Sequence, residues 1–241
     1  MSNTTKNFQF KSFSIWGGNS GMPVSTDGVL LGAWSNIACS KKLIDIGTGT
    51  GLLSLMCAQR NPDIKITAID IDEAAIASAH RNFAHSPWAN RITLKHADVL
   101  EYAQNNPHLF DTIICNPPYF NSGEQASASQ RAVARHTDNL PHLELLDCCE
   151  QLLTSTGKGS FILPTQEAEQ FIDAATERHW QLTRLCKIKT TAKKNHSRYL
   201  FELQRTESKL PEMEPSELII QQNGRYTAQF IALTQSFYLK M

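Results

Sequence analysis

The chain has 241 residues and a mass of 27.0 kDa, with 41% hydrophobic residues and 23 Lys+Arg set against 23 Asp+Glu. That length and apolar content bury a full core, which excludes disorder as a description of the whole chain. No run approaches ~18 consecutive apolar residues, and residues 1–13 alternate polar positions with single aromatics, so neither a membrane span nor a secretory leader is expected and the cytoplasm is the expected compartment.

The elements read in chain order as follows. Lys42–Ile46 is an apolar run with the character of a buried strand, Leu52–Gln59 a helix, and Ile64–Asp70 a second strand. Asp72 can cap the Ala-rich helix Glu73–Phe83. Ile92–Ala97 and Phe110–Cys115 are strands three and four, the latter stopped by Asn116-Pro117-Pro118. Asn121–Asp138 has little periodicity and reads as a mobile loop. His142–Leu153 is helical, and Gly157–Leu163 a fifth strand ended by Pro164. Strands alternating with helix-length segments imply parallel βαβ units and a doubly wound α/β sheet. Gln181–Lys189 and Arg198–Gln204 are joined by too few residues for a helical crossover, so they should form an antiparallel hairpin. Thr206–Pro215 reads as a surface linker. Beyond it, Glu217–Gln222, an Asn223-Gly224 turn and Thr227–Leu239 return to the body, since Leu218, Phe230 and Phe237 need a core. A single domain over 1–241 follows: an N-terminal segment (1–41) covering the cleft, a catalytic core (42–205) and a C-terminal extension (206–241) packed on it.

Net charge is zero but unevenly laid out: residues 1–42 carry +3, 43–150 carry −6 and 178–205 carry +7. A basic segment on a neutral chain is weak support for a polyanion partner, because such patches are common on surfaces. The six cysteines (Cys39, Cys57, Cys115, Cys148, Cys149, Cys186) contain no Cys-x-x-Cys pair, so buried free thiols are expected rather than a zinc or redox motif. His136 and His142 stand without matching ligand spacing, and no metal is expected.

Leu43-Ile-Asp-Ile-Gly-Thr-Gly-Thr-Gly-Leu-Leu53 runs from strand through a glycine-rich turn into a helix. Gly47, Gly49 and Gly51 let the backbone turn sharply and approach a ligand, and the helix start offers unpaired N–H groups, so a nucleotide-like ligand is expected. The dinucleotide fingerprint fails, because its last glycine falls on Leu52 or Ser54. Asp70, at the end of strand two, stands where a carboxylate can accept ribose hydroxyls. Asp98 follows strand three, although a lone strand-end Asp is more often a turn or cap residue.

Asn116-Pro117-Pro118-Tyr119 closes strand four, beside strand one and its glycine loop. The two prolines leave a rigid turn whose carbonyls are free to face a substrate. An amino nitrogen conjugated to a ring is a poor nucleophile. If the Asn116 side-chain oxygen and the Pro117 carbonyl accept its hydrogens, it can pyramidalise and direct its lone pair at an electrophile. Tyr119 can stack on the planar group. A stiff loop is the bland account of Pro-Pro, but it does not account for Asn before and an aromatic after.

Asp-x-Gly-x-Gly-x-Gly after a strand resembles motif I of the class I S-adenosyl-L-methionine-dependent methyltransferases, and Asn-Pro-Pro-Tyr resembles the amino-methyltransferases acting on adenine N6, cytosine N4, guanine N2 or a glutamine amide. Thr26-Asp-Gly-Val-Leu-Leu-Gly-Ala-Trp34, Asn116–Phe120 with Arg131 and Ala134-Arg135-His136, and Arg225-Tyr-Thr-Ala-Gln-Phe230 with Phe237-Tyr-Leu239 resemble the bacterial tRNA (adenine-N6)-methyltransferase family that modifies position 37 of a valine tRNA. The likeness extends over nearly the whole chain. Glutamine methyltransferases carry a substantial helical domain ahead of motif I, for which 42 residues are too few.

The resemblance implies a Rossmann-like, mostly parallel seven-stranded sheet with a C-terminal antiparallel hairpin, and S-adenosyl-L-methionine as cofactor. It implies cofactor contacts at Thr26, Asp27, Asp45, Gly47, Thr48, Gly49, Thr50, Gly51, Asp70, Ile71, Asp98, Val99 and Asn116, with Thr26 and Asp27 near the methionine end and Asp98 meeting the adenine amino group. Asn116, Pro117, Pro118 and Tyr119 carry the catalysis. Lys6, Lys11, Arg131, Arg135, Lys187, Lys189, Lys193, Lys194 and Arg198 form a candidate phosphate-contacting rim, weighed evenly against an ordinary solvated hairpin tip. The partner implied is tRNA, with no membrane and a monomeric enzyme. Guanine N2 in ribosomal RNA is the alternative within the enzyme class, and a non-catalytic RNA-binding module the alternative outside it.

Overall fold

The computed structural model describes residues 5–18, 23–117, 142–206 and 213–240. A short antiparallel pair, β1 (Phe8–Gln9) and β2 (Ser14–Ile15), precedes helix α1 (Thr26–Trp34). The core then alternates β3 (Lys42–Ile46), α2 (Leu52–Arg60), β4 (Lys65–Asp70), α3 (Glu73–Ala84), β5 (Ile92–His96), α4 (Val99–Asn105), β6 (Phe110–Cys115), α5 (His142–Leu152), β7 (Leu153–Pro164) and α6 (Thr165–Glu177). It closes with β8 (Trp180–Thr191), β9 (Arg198–Arg205), β10 (Ser216–Gln222), β11 (Arg225–Tyr226) and α7 (Ala228–Thr234).

One sheet takes nine of these strands in the order β11-β10-β8-β9-β7-β6-β3-β4-β5. Strands β3 to β7 pair in parallel, and β9 runs antiparallel between β7 and β8, which is the expected hairpin. The expected seven strands are therefore present, but the count is corrected to nine. The segment expected only to return to the body adds β10, parallel to β8 with Leu218 opposite Ile188, and then β11 by the Asn223-Gly224 turn. The physical reason is edge protection: β8 would otherwise present twelve residues of unpaired backbone to solvent.

Period-two alternation sorts the strands between two apolar layers. Ile44, Ile46, Ile113, Phe161 and Phe201 face α5 and α6, while Leu43, Ile66, Ile114, Ile162 and Leu200 face α1, α2 and α7. A third cluster ties Phe10, Phe13 and Ile15 to Leu55, Met56, Phe83 and Phe237. Lys11 Nζ donates to the Gln235 carbonyl at 2.6 Å, and Phe10 bridges to Tyr238. The two ends of the chain thus meet over α2 and α3.

Helix α1 is held against α2 at a separation that two glycines permit. A Cβ on Gly32 would stand 2.6 Å from Met56 Sδ, and one on Gly28 3.0 Å from Leu52 Cδ2. Ser25 caps the helix by accepting from the Gly28 N–H at 3.0 Å. Asp72 caps α3 as expected, accepting from Ala75 at 2.8 Å.

Asn82, buried in the last turn of α3, fixes three backbone groups on two segments at once. Its Oδ1 accepts from Trp16 N–H at 2.8 Å, and its Nδ2 donates to the Trp16 carbonyl at 3.1 Å and the Thr50 carbonyl at 2.9 Å. Asn82→Ala should leave these groups without partners and destabilise the protein by about 1–3 kcal/mol, read as a lower urea midpoint with an unchanged m value.

Candidate functional site

Parallel pairing brings every strand end that matters to one edge of the sheet. Ile46 is the register partner of both Ile69 and Cys115, so Gly47, Asp70 and Asn116 emerge side by side. Asp70 is in turn level with His96, and the Ala97 N–H donates to the Asp70 carbonyl at 3.1 Å, which places Asp98 next along. Because β8 runs parallel to β7 through the intervening β9, the hairpin tip at 192–197 and the Asn223-Gly224 turn also lie at this edge. In open α/β sheets this carboxyl edge is where ligands bind.

The glycine loop is held from below and open above. Gly47, Gly49 and Gly51 have φ of 67°, 55° and 84°. A Cβ on Gly51 would meet the Phe83 ring at 2.4 Å, whereas one on Gly47 or Gly49 would meet nothing within 4 Å. The Ile69 carbonyl accepts from Gly47 N–H (2.9 Å) and Thr48 N–H (3.0 Å), and Asp70 Oδ2 accepts from Gly49 N–H at 2.8 Å. The left-handed backbone and the tight seat at Gly51 thus demand glycine for two separate reasons.

The carboxylates expected on the cofactor all stand here. Asp45 is fully buried at the end of β3, and its Oδ2 accepts from Ser54 Oγ (2.6 Å), Thr48 Oγ1 (2.7 Å) and Ser54 N–H (3.1 Å). Its Oδ1 is buried with no hydrogen-bond partner. Burial pushes the Asp45 carboxyl up to about 6 against those three hydrogen bonds, and the neighbouring Asp70 adds to the rise. Asp70 is likewise raised by burial, opposed by the N–H groups of Asp72 and Gly49. Asp98 spends Oδ1 on the Leu100 N–H at 2.8 Å, capping α4, so it does perform the bland duty weighed for it and keeps Oδ2 for another.

Ile71 is 58% exposed, an apolar side chain at the mouth of the cleft. Thr48 and Thr50 are buried in the loop, and Val99 opens α4 half-buried.

These residues fit S-adenosyl-L-methionine on three counts. The open glycine cradle accepts a close-lying ligand, an orphaned carboxylate oxygen invites a donor or cationic group, and exposed Ile71 offers apolar cover to a base. Asp70, with a lone pair left on each oxygen, can hold ribose hydroxyls.

Asn116 is half-buried and Pro117 buried at the end of β6. Pro118, Tyr119, Arg131 and Arg135 lie outside the described residues, as do the loop expected at Asn121–Asp138 and most of the expected linker.

Thr26 and Asp27 open α1. Asp27 Oδ2 accepts from Arg198 Nε at 2.8 Å, so two residues expected in separate roles meet each other. Both line a cavity of about 350 Å³ with Ser197, Gln221, Tyr226 and Tyr238. Sequence reasoning assigned no role to the last three. Of the remaining rim, Lys189 pairs with Glu217 at 2.8 Å, Lys187 Nζ stands 5.5 Å from the Tyr199 ring centre, and Lys11 is engaged as a strap. Lys6 is exposed. Lys193 and Lys194, exposed at the tip, form no ion pair with a described residue. A roomier cavity of about 430 Å³, bounded by His108, Glu150, Trp180 and Arg205, lies at the opposite edge and touches none of this chemistry.

The fold and the site define a class I S-adenosyl-L-methionine-dependent methyltransferase. Solved structures agree on the fold: a predicted O-methyltransferase from Agrobacterium tumefaciens matches with TM-score 0.65 over 88% of this chain and 96% of that one at 19% identity. A Pyrococcus horikoshii protein in complex with MeSAdo matches with TM-score 0.58 over 84% of this chain and 71% of that one at 14% identity. The family model described as Methyltransferase small domain matches residues 27–142. Among curated relatives, a tRNA1(Val) (adenine(37)-N6)-methyltransferase from Vibrio parahaemolyticus is 54% identical over 98% of this chain and 97% of its own length. One of the same name from Aliivibrio fischeri is 50% identical over 98% and 99%. The chain belongs to this tRNA (adenine-N6)-methyltransferase family.

Asp45 yields a prediction with a definite sign. In the folded protein it holds its proton up to a pH of about 6, against an ordinary value of 3.8, so it favours folding at acid pH and that contribution is lost as pH rises through 6. In Asp45→Asn the titration is gone. The stability of wild type relative to the variant, measured by urea unfolding without cofactor, should fall by about 2 kcal/mol between pH 4.5 and 7.5.

Proposed function

We infer that the protein methylates the exocyclic N6 of an adenine in tRNA, with adenine 37 of a valine tRNA as the target that its relatives' names give. The observation that carries this is the register of Ile46 with Cys115, which sets Asn116 directly beside the glycine loop in a chain alike over its whole length to enzymes of that activity.

When bound, S-adenosyl-L-methionine supplies an electrophilic methyl group on a sulfonium. The protein's own contribution is positional. The Asn116 side-chain oxygen and the Pro117 carbonyl accept the two hydrogens of the adenine amino group, so that its lone pair is turned out of conjugation and toward the methyl. Pro117 is buried and is followed in sequence by a second proline, which confines its ψ to the extended range and keeps that carbonyl from swinging away. Tyr119 stacks on the base. The amino group sheds its proton only after methylation makes it acidic, so the reaction asks for no base with a shifted pKa beforehand. Thr26, Asp27, Asp45, Gly47–Gly51, Asp70, Ile71, Asp98 and Val99 hold the cofactor. The enzyme acts as a monomer in the cytoplasm, with the segment before residue 42 closing one side of the cleft.

Labelled S-adenosyl-L-methionine offered with total tRNA, ribosomal RNA or total protein, followed by digestion and mass spectrometry, tests the reading; label appearing only in protein or as guanine N2 would overturn it. Asn116→Ala should lower single-turnover methyl transfer by roughly 10² to 10³, the range for loss of one preorganised polar contact, while cofactor affinity by calorimetry moves far less. Tyr119→Ala should weaken the base stack and Tyr119→Phe should behave nearly as wild type.

Phosphate contacts are assigned to Lys6, Arg131, Arg135, Lys187, Lys193 and Lys194, with Lys11, Lys189 and Arg198 already engaged within the protein. Reversing charge at Lys193 and Lys194 together should weaken tRNA binding and reduce the slope of log affinity against log salt by up to about 2, since each neutralised phosphate releases roughly one counterion. An unaltered slope would mark the tip as ordinary surface.

A further inference from the structure

The cavity of about 350 Å³ beside α1 shares Thr26, Asp27 and Arg198 with the site described above, but its other walls have no part in the methyl transfer, and it is built as a site. Three segments distant in sequence converge on it: the first turn of α1 through Thr26 and Asp27, the β8–β9 hairpin through Ile188, Thr190, Ser197 and Arg198, and the C-terminal β10, β11 and α7 through Gln221, Tyr226 and Phe230. Its size falls in the lower part of the range for small-ligand pockets, about 300–1,000 Å³.

Its most telling wall is Tyr226. One face of the ring stacks on Phe230 at 4.8 Å and 25°, while the residue stays 47% exposed, one of few large apolar or aromatic side chains left so open among the described residues. An aromatic held rigid from behind and bare in front is a stacking platform, and bases of unpaired RNA are recognised on such platforms. Gln221 brings an amide and Thr190 and Ser197 bring hydroxyls to the same space, groups that can meet the edge of a base. The rim is basic: exposed Lys193 and Lys194 flank it on the hairpin tip, and exposed Arg225 immediately precedes the platform. The location is as informative as the lining. The first turn of α1 is a shared partition, because Thr26 and Asp27 line the cavity while the next residue, Gly28, abuts Leu52 at the foot of the glycine loop.

We propose that this cavity is a second base-binding subsite, in which Tyr226 stacks an unpaired nucleotide of the RNA that neighbours the methylated adenine and is splayed away from it. The proposal rests on the reading of the protein as a tRNA methyltransferase. A base bound at each side of the partition would hold the loop open across α1, so that extrusion of the target is assisted by capture of its neighbour.

The test uses the full chain and an anticodon stem-loop RNA of valine tRNA sequence in which each nucleotide flanking the target is replaced in turn by 2-aminopurine or by an abasic residue. Wild type must first methylate the unmodified RNA; if it does not, the underlying functional reading fails, independently of the subsite. Given methylation, one 2-aminopurine position should lose fluorescence on binding wild type and Tyr226→Phe but not Tyr226→Ala. The dissociation constant for RNA should rise about 5- to 150-fold in Tyr226→Ala, the range for one lost base stack. The abasic residue at that position should cost wild type the same factor and cost Tyr226→Ala nothing further. Additive penalties, or an abasic scan with no sensitive flanking position, would overturn the proposal. Cofactor affinity and urea midpoint of Tyr226→Ala distinguish a lost stack from a loosened C-terminus: a fall in both accompanied by additive penalties assigns Tyr226 a packing role only.

Discussion

The Asp70 carboxylate is the tie on which the rest of the site depends. One oxygen holds Gly49 at 2.8 Å and the other holds the turn at Asp72 at 3.0 Å, so a single side chain joins the glycine loop after β3 to the capped start of α3. Three residues with positive φ in five would otherwise be a floppy turn, since glycine loses more conformational freedom on ordering than any other residue. The loop is rigid because its inward groups are all committed: Gly47 and Thr48 to the Ile69 carbonyl, the Thr50 carbonyl to Asn82, and Thr48 and Ser54 to Asp45. Burying two carboxylates in one small region opposes their ionisation, which is why both are raised. The structure tolerates that cost where a ligand with donors and positive charge can offset it.

Around this tie the two termini act as one clamp. Phe10 and Tyr238 bridge, Lys11 fastens to the Gln235 carbonyl, and Trp16 is bolted to Asn82 in the helix that seats Gly51. The C-terminal segment serves twice, shielding the backbone of β8 and placing Tyr226 and Gln221 at the carboxyl edge. The strand that covers the open edge of β8 thereby also supplies a wall of the cavity beside α1.

The sequence spoke most clearly where period and punctuation coincide. Strands β3 to β6 are short apolar runs bounded by Gly, Asp or Pro, and they fall within a residue or so of their expected limits. Helix α1 gave no such signal, because residues 28–33 are all buried: a helix without a wet face has no 3.6-residue alternation, and its two glycines argue against helix until α2 is seen pressed against them. Helix α6 did carry one in Ala168, Phe171 and Ala175, though small alanines make it faint. The parallel pairing of β10 was illegible for another reason: partner choice at a sheet edge depends on which edge is left open, a property of the assembled sheet. In the site, the glycine loop and its carboxylates were legible because their chemistry is local. The Asp27–Arg198 pair and the Tyr226 platform were not, since each joins segments remote in sequence.

Charge along the carboxyl edge changes sign across the strand that bears Asn116. Asp45, Asp70 and Asp98 crown β3, β4 and the segment after β5 on one side, while Lys187, Lys189, Lys193, Lys194 and Arg225 crowd the ends of β8 and the β10 turn on the other. With strands about 4.8 Å apart, three spacings separate β6 from β8, or about 14 Å, beyond the ~8–10 Å Debye length near physiological salt. At that distance the exposed cations of the tip are little weakened by the cleft carboxylates and can hold phosphates, while the carboxylates repel a polyanion from the cofactor half of the edge. On the proposed reading RNA would be held to one side, and only a base swung out of the loop, carrying no charge, would cross to Asn116. The zero net charge of the chain conceals this division, an asymmetry that would orient a polyanionic substrate before any base is read.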